Sequence, residues 1–243
     1  MDFISIEHAS CHSWPALEQI DREGWILRFA KGYAKRANSV SVLSTGTENV
    51  VQNVIQCEEA YNSRNLPCIF RLLSFNDNFH IETILDQRGY IPGDHSLVLI
   101  QDIYNKTFSF PALRFLTSGE WLPIYCCLNE KDLSGYNTHM EMISRIKHQT
   151  LFAVSQKEHK DVSCALGVLC DGNFGLFDMV THPYYRNQGY GAELITGMLS
   201  WAKQQGATTA YLQVVSDNMP AVRLYSKLGY KPGYEYHYRI QNM

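Results

Sequence analysis

The chain has 243 residues, 45% hydrophobic and 19% charged, with a formal net charge of −3. That is enough chain to bury one large core or two small ones, with the composition of a soluble globular protein. No stretch approaches the apolar run of a membrane span, the start MDFISIEHASCHSW has no signal-peptide pattern, and no dense Lys/Arg block marks a nucleic-acid partner, so a cytoplasmic protein that binds neither membrane nor nucleic acid is expected.

Gly24 to Phe29 and Val40 to Leu43 predict the two strands of a hairpin. A helix from Glu48 to Arg64, a strand from Cys68 to Leu73, a helix over Phe79 to Arg88 and a strand from Ser96 to Ile100 follow. The segment Asp102 to Glu120 is the expected join, giving a first lobe over 1–105, a linker over 106–120 and a second lobe over 121–243. The second lobe is expected to open with a strand near Leu122 to Cys127, then two short helices, Asn129 to Leu133 and Thr138 to Ile146. A meander of Leu151 to Val154, Cys164 to Cys170 and Phe174 to Thr181 comes next. Seven cysteines without a C-x-x-C pair suggest neither disulfides nor a zinc site, and no metal is expected.

The order helix, strand, helix, Gly-Tyr, strand occurs twice. Ala60 to Leu72 matches Trp201 to Val214, and Ile84 to Tyr90 matches Arg223 to Tyr230, which predicts two related lobes. They differ where chemistry is concerned. After Thr181 the second lobe reads Arg186-Asn187-Gln188-Gly189-Tyr190-Gly191-Ala192 and runs directly into an amphipathic helix. Glycines there let backbone N–H groups close on an anion while the helix presents its positive dipole end. The first lobe has Leu43 to Glu48 instead, whose carboxylate would compete with a phosphate for the helix start.

Downstream come the strand Tyr211 to Val215, Asn218, Ala221, Leu224-Tyr225 and Leu228-Gly229-Tyr230. Together with R-x-x-G-x-G/A, this pattern resembles the GNAT N-acetyltransferases from about Phe174 onward. GWILRFAKGYAKRANSV, near the start, is similar to the amino-terminal segment of a two-lobed bacterial subgroup. The resemblance implies an α/β fold with mixed sheets, tandem GNAT-like lobes, and an acetyl-CoA-binding site in the second lobe only. It implies that Arg186, Asn187, Gln188, Gly189, Tyr190, Gly191 and Ala192 receive the pyrophosphate, that Met179, Val180 and Thr181 pair with the pantetheine arm like an added strand, and that Asn218 holds the arm.

Direct acetyl transfer from acetyl-CoA to an amine needs an oxyanion donor, an acid for the departing thiolate and a base for the amine. By the same resemblance the Met179 N–H is the oxyanion donor and Tyr225 the acid. Asp178, a carboxylate inside the apolar strand LFDMVT, is one candidate base because it needs a partner or a cleft. Glu235, His237 and Arg239 alternate with Tyr234, Tyr236 and Tyr238 on the last strand, which reads as an edge strand whose faces are a second place to look. The acceptor stays open among small amines, peptides and protein lysines. A non-enzymatic acyl-CoA-binding module is the rival reading.

Overall fold

The computed structural model describes residues 2–44, 49–109 and 111–242. In chain order the elements are α1 (Phe3–Ser13), β1 (Glu18–Arg22), β2 (Trp25–Phe29), β3 (Val40–Val42), α2 (Val50–Asn62), β4 (Ile69–Leu73), α3 (Phe79–Gln87), β5 (Ile91–Asp102) and β6 (Arg114–Leu116). Then come α4 (Ser118–Leu128), α5 (Asn137–Ser144), β7 (Gln149–Lys157), β8 (Lys160–Cys170), β9 (Asn173–Thr181), α6 (Tyr190–Gln204), β10 (Thr209–Val215), α7 (Met219–Lys227) and β11 (Lys231–Ile240). Among the described residues, no helix is long and apolar enough to cross a membrane.

One local expectation is corrected and one helix is new. The apolar run Leu122 to Cys127 is not a strand but the body of α4. Thr117 accepts from the Glu120 N–H and the Glu120 carboxylate answers the Thr117 N–H, a reciprocal cap worth about 1 kcal/mol that commits the run to helix. Short apolar runs carry no period that separates strand from helix, so the cap decides. The stretch after Met1, expected only to lack a leader, forms α1, started by Asp2 Oδ1 accepting from Ile4 N at 3.0 Å and Ser5 N at 3.3 Å.

The chain divides into two compact units that interleave along the sequence, where contiguous lobes were expected. The larger comprises 1–15, 99–214 and 218–232; the smaller comprises 16–98, 215–217 and 233–243. In the smaller unit the strand order is β1-β2-β3-β4-β11, with β3 and β4 parallel and the other pairs antiparallel. Its core packs Trp25, Leu27, Phe70 and Leu72 from the strands against Val54, Cys57, Tyr61, Ile84 and Leu85 from α2 and α3. Burial pushes the Cys57 thiol up to about 12, so it stays an inert packing group. Asn49 caps α2 through Oδ1 to Gln52 N at 3.2 Å. The expected competitor Glu48 lies outside the described residues.

β11 is no edge strand: in the sheet it lies between β4 and β5, whose residues 91–98 belong to the same unit. It pairs antiparallel with β4, Tyr236 opposite Leu73 and Ile240 opposite Ile69, and its polar residues are committed: His95 Nε2 meets Glu235 at 2.9 Å, His237 meets Glu82 at 3.3 Å, and Arg239 pairs with Asp86.

In the larger unit the order is β10-β9-β8-β7-β6, with β9 and β10 parallel and the rest antiparallel. Trp121 of α4, Met198 of α6, Phe174 of β9 and Tyr211 of β10 are all fully buried. Packing is close: a Cβ on Gly167 would lie 2.3 Å from the Phe174 ring. This rigid meander is the platform on which the polar residues of β9 are displayed.

Candidate active site

β9 and β10 pair only from Asn173 opposite Thr209 to Leu176 opposite Leu212, although β9 continues to Thr181 and β10 to Val215. Past that point the strands part. On its other side β9 slips against β8: Phe177 is opposite Leu166 and Val180 opposite Cys164, so the bulge places an extra residue at Asp178-Met179. Asp178 has φ +50, a left-handed conformation costing a side-chain-bearing residue roughly 1–2 kcal/mol. Backbone strain held in place by a packed sheet is a hallmark of functional positions.

The chain then turns through the 3₁₀ turn Pro183–Tyr185. Arg186 Nε donates to the Thr181 carbonyl at 3.1 Å and Gln188 Nε2 to the Tyr184 carbonyl at 2.9 Å, which pins the loop from inside. Gly189, at φ +94, is the N-cap of α6 and supplies no side-chain acceptor. The first N–H groups of that helix therefore receive no acceptor from the cap residue. A Cβ on Gly191 would stand 3.3 Å from Met179 Cε and Thr181 Oγ1 and 3.6 Å from Leu224 Cδ2, so only glycine keeps that gap open.

From the far end of β10, Asn218 caps α7, its Oδ1 accepting from Ala221 N at 3.3 Å. Tyr225 lies seven residues on, about two turns along the same helix face. It is 9% exposed, and burial pushes its phenol up to about 12. These pieces surround one cavity of about 460 Å³, a usual ligand-pocket size. Of the residues named from sequence, Met179, Val180, Thr181, Arg186, Asn187, Gly189, Tyr190, Gly191, Ala192, Asn218 and Tyr225 line it. Gln188 and Asp178 do not; Asn129, Tyr185, Pro220, Ala221 and Leu224 are additions. Glu235, His237 and Arg239 are not among the lining residues, and no cysteine is.

Asp178 instead meets a residue that sequence reasoning missed. Its Oδ2 is 3.1 Å from Nε2 of His139 on α5, an ion-pair separation although the angle departs from hydrogen-bond alignment. His139 is 1% exposed and ringed by Trp14 edge-on at 5.3 Å, Tyr125 and Tyr136 each at 5.6 Å, and Trp121 at 6.4 Å. Burial above all raises the Tyr136 phenol, with the charge of Asp178 among the lesser causes. A signal for His139 existed: with Met142 and Ile143 it makes the i, i+3, i+4 set of the buried face of α5.

A family model described as "Probable histone acetyltransferase Rv0428c C-terminal" matches residues 2–239. The protein named uncharacterized N-acetyltransferase YobR, from Bacillus subtilis (strain 168), is 29% identical over 248 residues, covering 99% of each chain. A GCN5-related N-acetyltransferase from Kribbella flavida matches with TM-score 0.72 at 17% identity, over 99% of this chain and 95% of its own. A tandem GNAT protein from the clavulanic acid biosynthesis pathway matches with TM-score 0.64 at 9% identity, over 99% of this chain and 87% of its own. At such identities the likeness is one of fold. Matched by the family model along nearly its whole length, the chain belongs to the Rv0428c C-terminal acetyltransferase family and is a GNAT-type N-acetyltransferase.

Proposed function

We propose that this enzyme carries an acetyl group from acetyl-CoA directly to a primary amine, using the cavity lined by the end of β9, the start of α6 and α7. The observation that carries the reading is the coincidence, around one cavity, of an uncapped helix start, an open strand edge and a buried tyrosine. The pyrophosphate rests on the N–H groups at the start of α6, where the missing Cβ of Gly191 leaves room. The pantetheine arm adds to Met179, Val180 and Thr181 as an extra strand, beside Asn218.

In the reaction the amine nitrogen forms a bond to the thioester carbon and the carbon–sulfur bond breaks. The Met179 N–H stabilises the oxyanion. An amine of pKa near 10 must first lose a proton, and Asp178, outside the lining but next in the chain to the lining residue Met179 and paired with His139, is the base we assign to it. Tyr225 donates to the departing sulfur. With its pKa raised to about 12 the phenol is fully protonated at neutral pH. A thiol near pKa 8.5 is the stronger acid, so Tyr225 holds the negative sulfur by a charge-assisted hydrogen bond; the second proton, lost by the nitrogen as the tetrahedral intermediate collapses to the amide, completes the thiol, and the first passes from Asp178 to solvent. The description of the matching family supports protein lysines as the first acceptors to screen, beside small amines.

Calorimetric titration with acetyl-CoA tests the placement. Binding near one site per chain, lost in a folded Gly189→Glu/Gly191→Glu variant, is expected. Equal binding by both proteins would remove the α6 site.

A further inference from the structure

Away from this cavity, the end of the β7–β8–β9 meander carries a second chemical cluster. Gln149 stands opposite Leu169 in the β7–β8 ladder, so one step further His148 stands opposite Cys170. The chain then turns through Asp171, and the last turn of α1 supplies His12. Cys170 Sγ lies 3.6 Å from His148 Nε2, 3.9 Å from His12 Nδ1 and 3.6 Å from Asp171 Oδ2. The donor atoms of His12, His148 and Cys170 all lie within 4.8 Å of one another. The two imidazoles lie nearly parallel, with centroids 5.5 Å apart.

The thiol donates to the Asp171 carboxylate while two imidazole nitrogens converge on the same sulfur, an arrangement of soft and borderline donors around one point. A tetrahedral zinc ion with Zn–S of about 2.3 Å and Zn–N of about 2.05 Å holds its sulfur and nitrogen ligands about 3.6 Å apart; His148 already stands at 3.6 Å from Cys170 Sγ and His12 at 3.9 Å, a few tenths of an ångström further out. Two imidazoles and one thiolate suit zinc rather than magnesium or calcium.

We propose that His12, His148 and Cys170 bind one zinc-like divalent ion that fastens α1 to the end of the β7–β8–β9 meander. Coordination exchanges the Cys170 S–H bond for a metal–sulfur bond and releases that proton to solvent. Three protein donors leave the fourth tetrahedral position to water. The ion's effect reaches the active site through α1 and the residue after it. Ser10 Oγ accepts from Gln213 Nε2 at 2.6 Å, Ser13 meets the Tyr211 hydroxyl at 3.3 Å, and Trp14 stacks on Phe177 at 5.8 Å while holding the His139 ring edge-on. Cysteine spacing gave no sign of the site because its histidines lie 22 and 158 residues from Cys170 in sequence.

The test uses the full chain, stripped by chelator and titrated with Co²⁺. One equivalent is expected to bind with a thiolate-to-cobalt charge-transfer band and the intense visible bands of a tetrahedral site. One equivalent of Zn²⁺ is expected to displace it and to raise the melting temperature. Cys170→Ser should abolish the charge-transfer band. His12→Ala, at an exposed position where folding is not at stake, should weaken Co²⁺ binding about tenfold or more, with acetyl-CoA binding kept. If Cys170→Ser fails to fold, His12→Ala decides. A wild type without the thiolate band, or a band unchanged in His12→Ala, overturns the proposal; the second result would assign the metal to another thiol such as the exposed Cys127.

Discussion

Replacing Gly191 by alanine should damage coenzyme binding while sparing the fold, and the structure sets the size of both effects. Gly191 sits in the first turn of α6, where exchanging glycine for alanine contributes up to about 1 kcal/mol in helix propensity. Against this, the new methyl meets Met179 Cε and Thr181 Oγ1 at 3.3 Å, a few tenths of an ångström too close. The two terms nearly cancel, and the melting temperature should move by no more than about 4 °C. The same methyl fills the gap through which the backbone approaches the coenzyme, so acetyl-CoA affinity should fall at least about tenfold, or 1.4 kcal/mol. Gly206→Ala is the control. It lies at φ +92, outside the cavity, and should cost about 1–2 kcal/mol of stability with affinity unchanged. Calorimetry and thermal melts on the three proteins measure both quantities. Wild-type affinity in Gly191→Ala would show that the coenzyme does not pass over this turn.

Asp178→Asn keeps the shape of the bulge and removes the charge facing His139. Turnover at neutral pH should fall about 10²- to 10⁴-fold and recover as rising pH deprotonates the amine without help; an unchanged pH–rate profile would remove Asp178 from the proton path. Stability should fall as pH rises above 10. The unfolded Tyr225 loses its proton near 10 while the buried one keeps it to about 12, so the unfolded state binds fewer protons in that window. Tyr225 alone contributes a loss of about 2 kcal/mol by pH 12, and burial raises Tyr61, Tyr90, Tyr211, Tyr230 and Tyr238 as well. Urea unfolding across pH 8 to 11 checks this; a level curve above pH 10 would contradict it.

The parts of the site legible in sequence are those built from neighbours along the chain. The Gly189 turn into α6 and the Asn218 cap with Tyr225 two turns later are local devices, readable from spacing. The Asp178 bulge was half legible: a carboxylate within an apolar strand signals a partner, but the partner, His139, arrives by tertiary packing of α5 and Trp14. α1 was illegible because it buries Glu7, Ser10 and Ser13 beside its apolar residues and so has no clean apolar stripe. β11 was read as an edge strand because its alternation of tyrosine with charge suits one; its pairing with β4 and the ion partners His95, Glu82 and Asp86 come from elsewhere in the chain.

The account rests most heavily on Tyr225 acting at the sulfur rather than in binding. Tyr225→Phe keeps the ring against Tyr230, 6.1 Å away, and deletes only the hydroxyl. With an acceptor amine in hand, single-turnover acetyl transfer should slow about 10²-fold or more while the acetyl-CoA dissociation constant stays at the wild-type value. Wild-type transfer rates in Tyr225→Phe would contradict the assignment and leave the tyrosine a packing residue of α7.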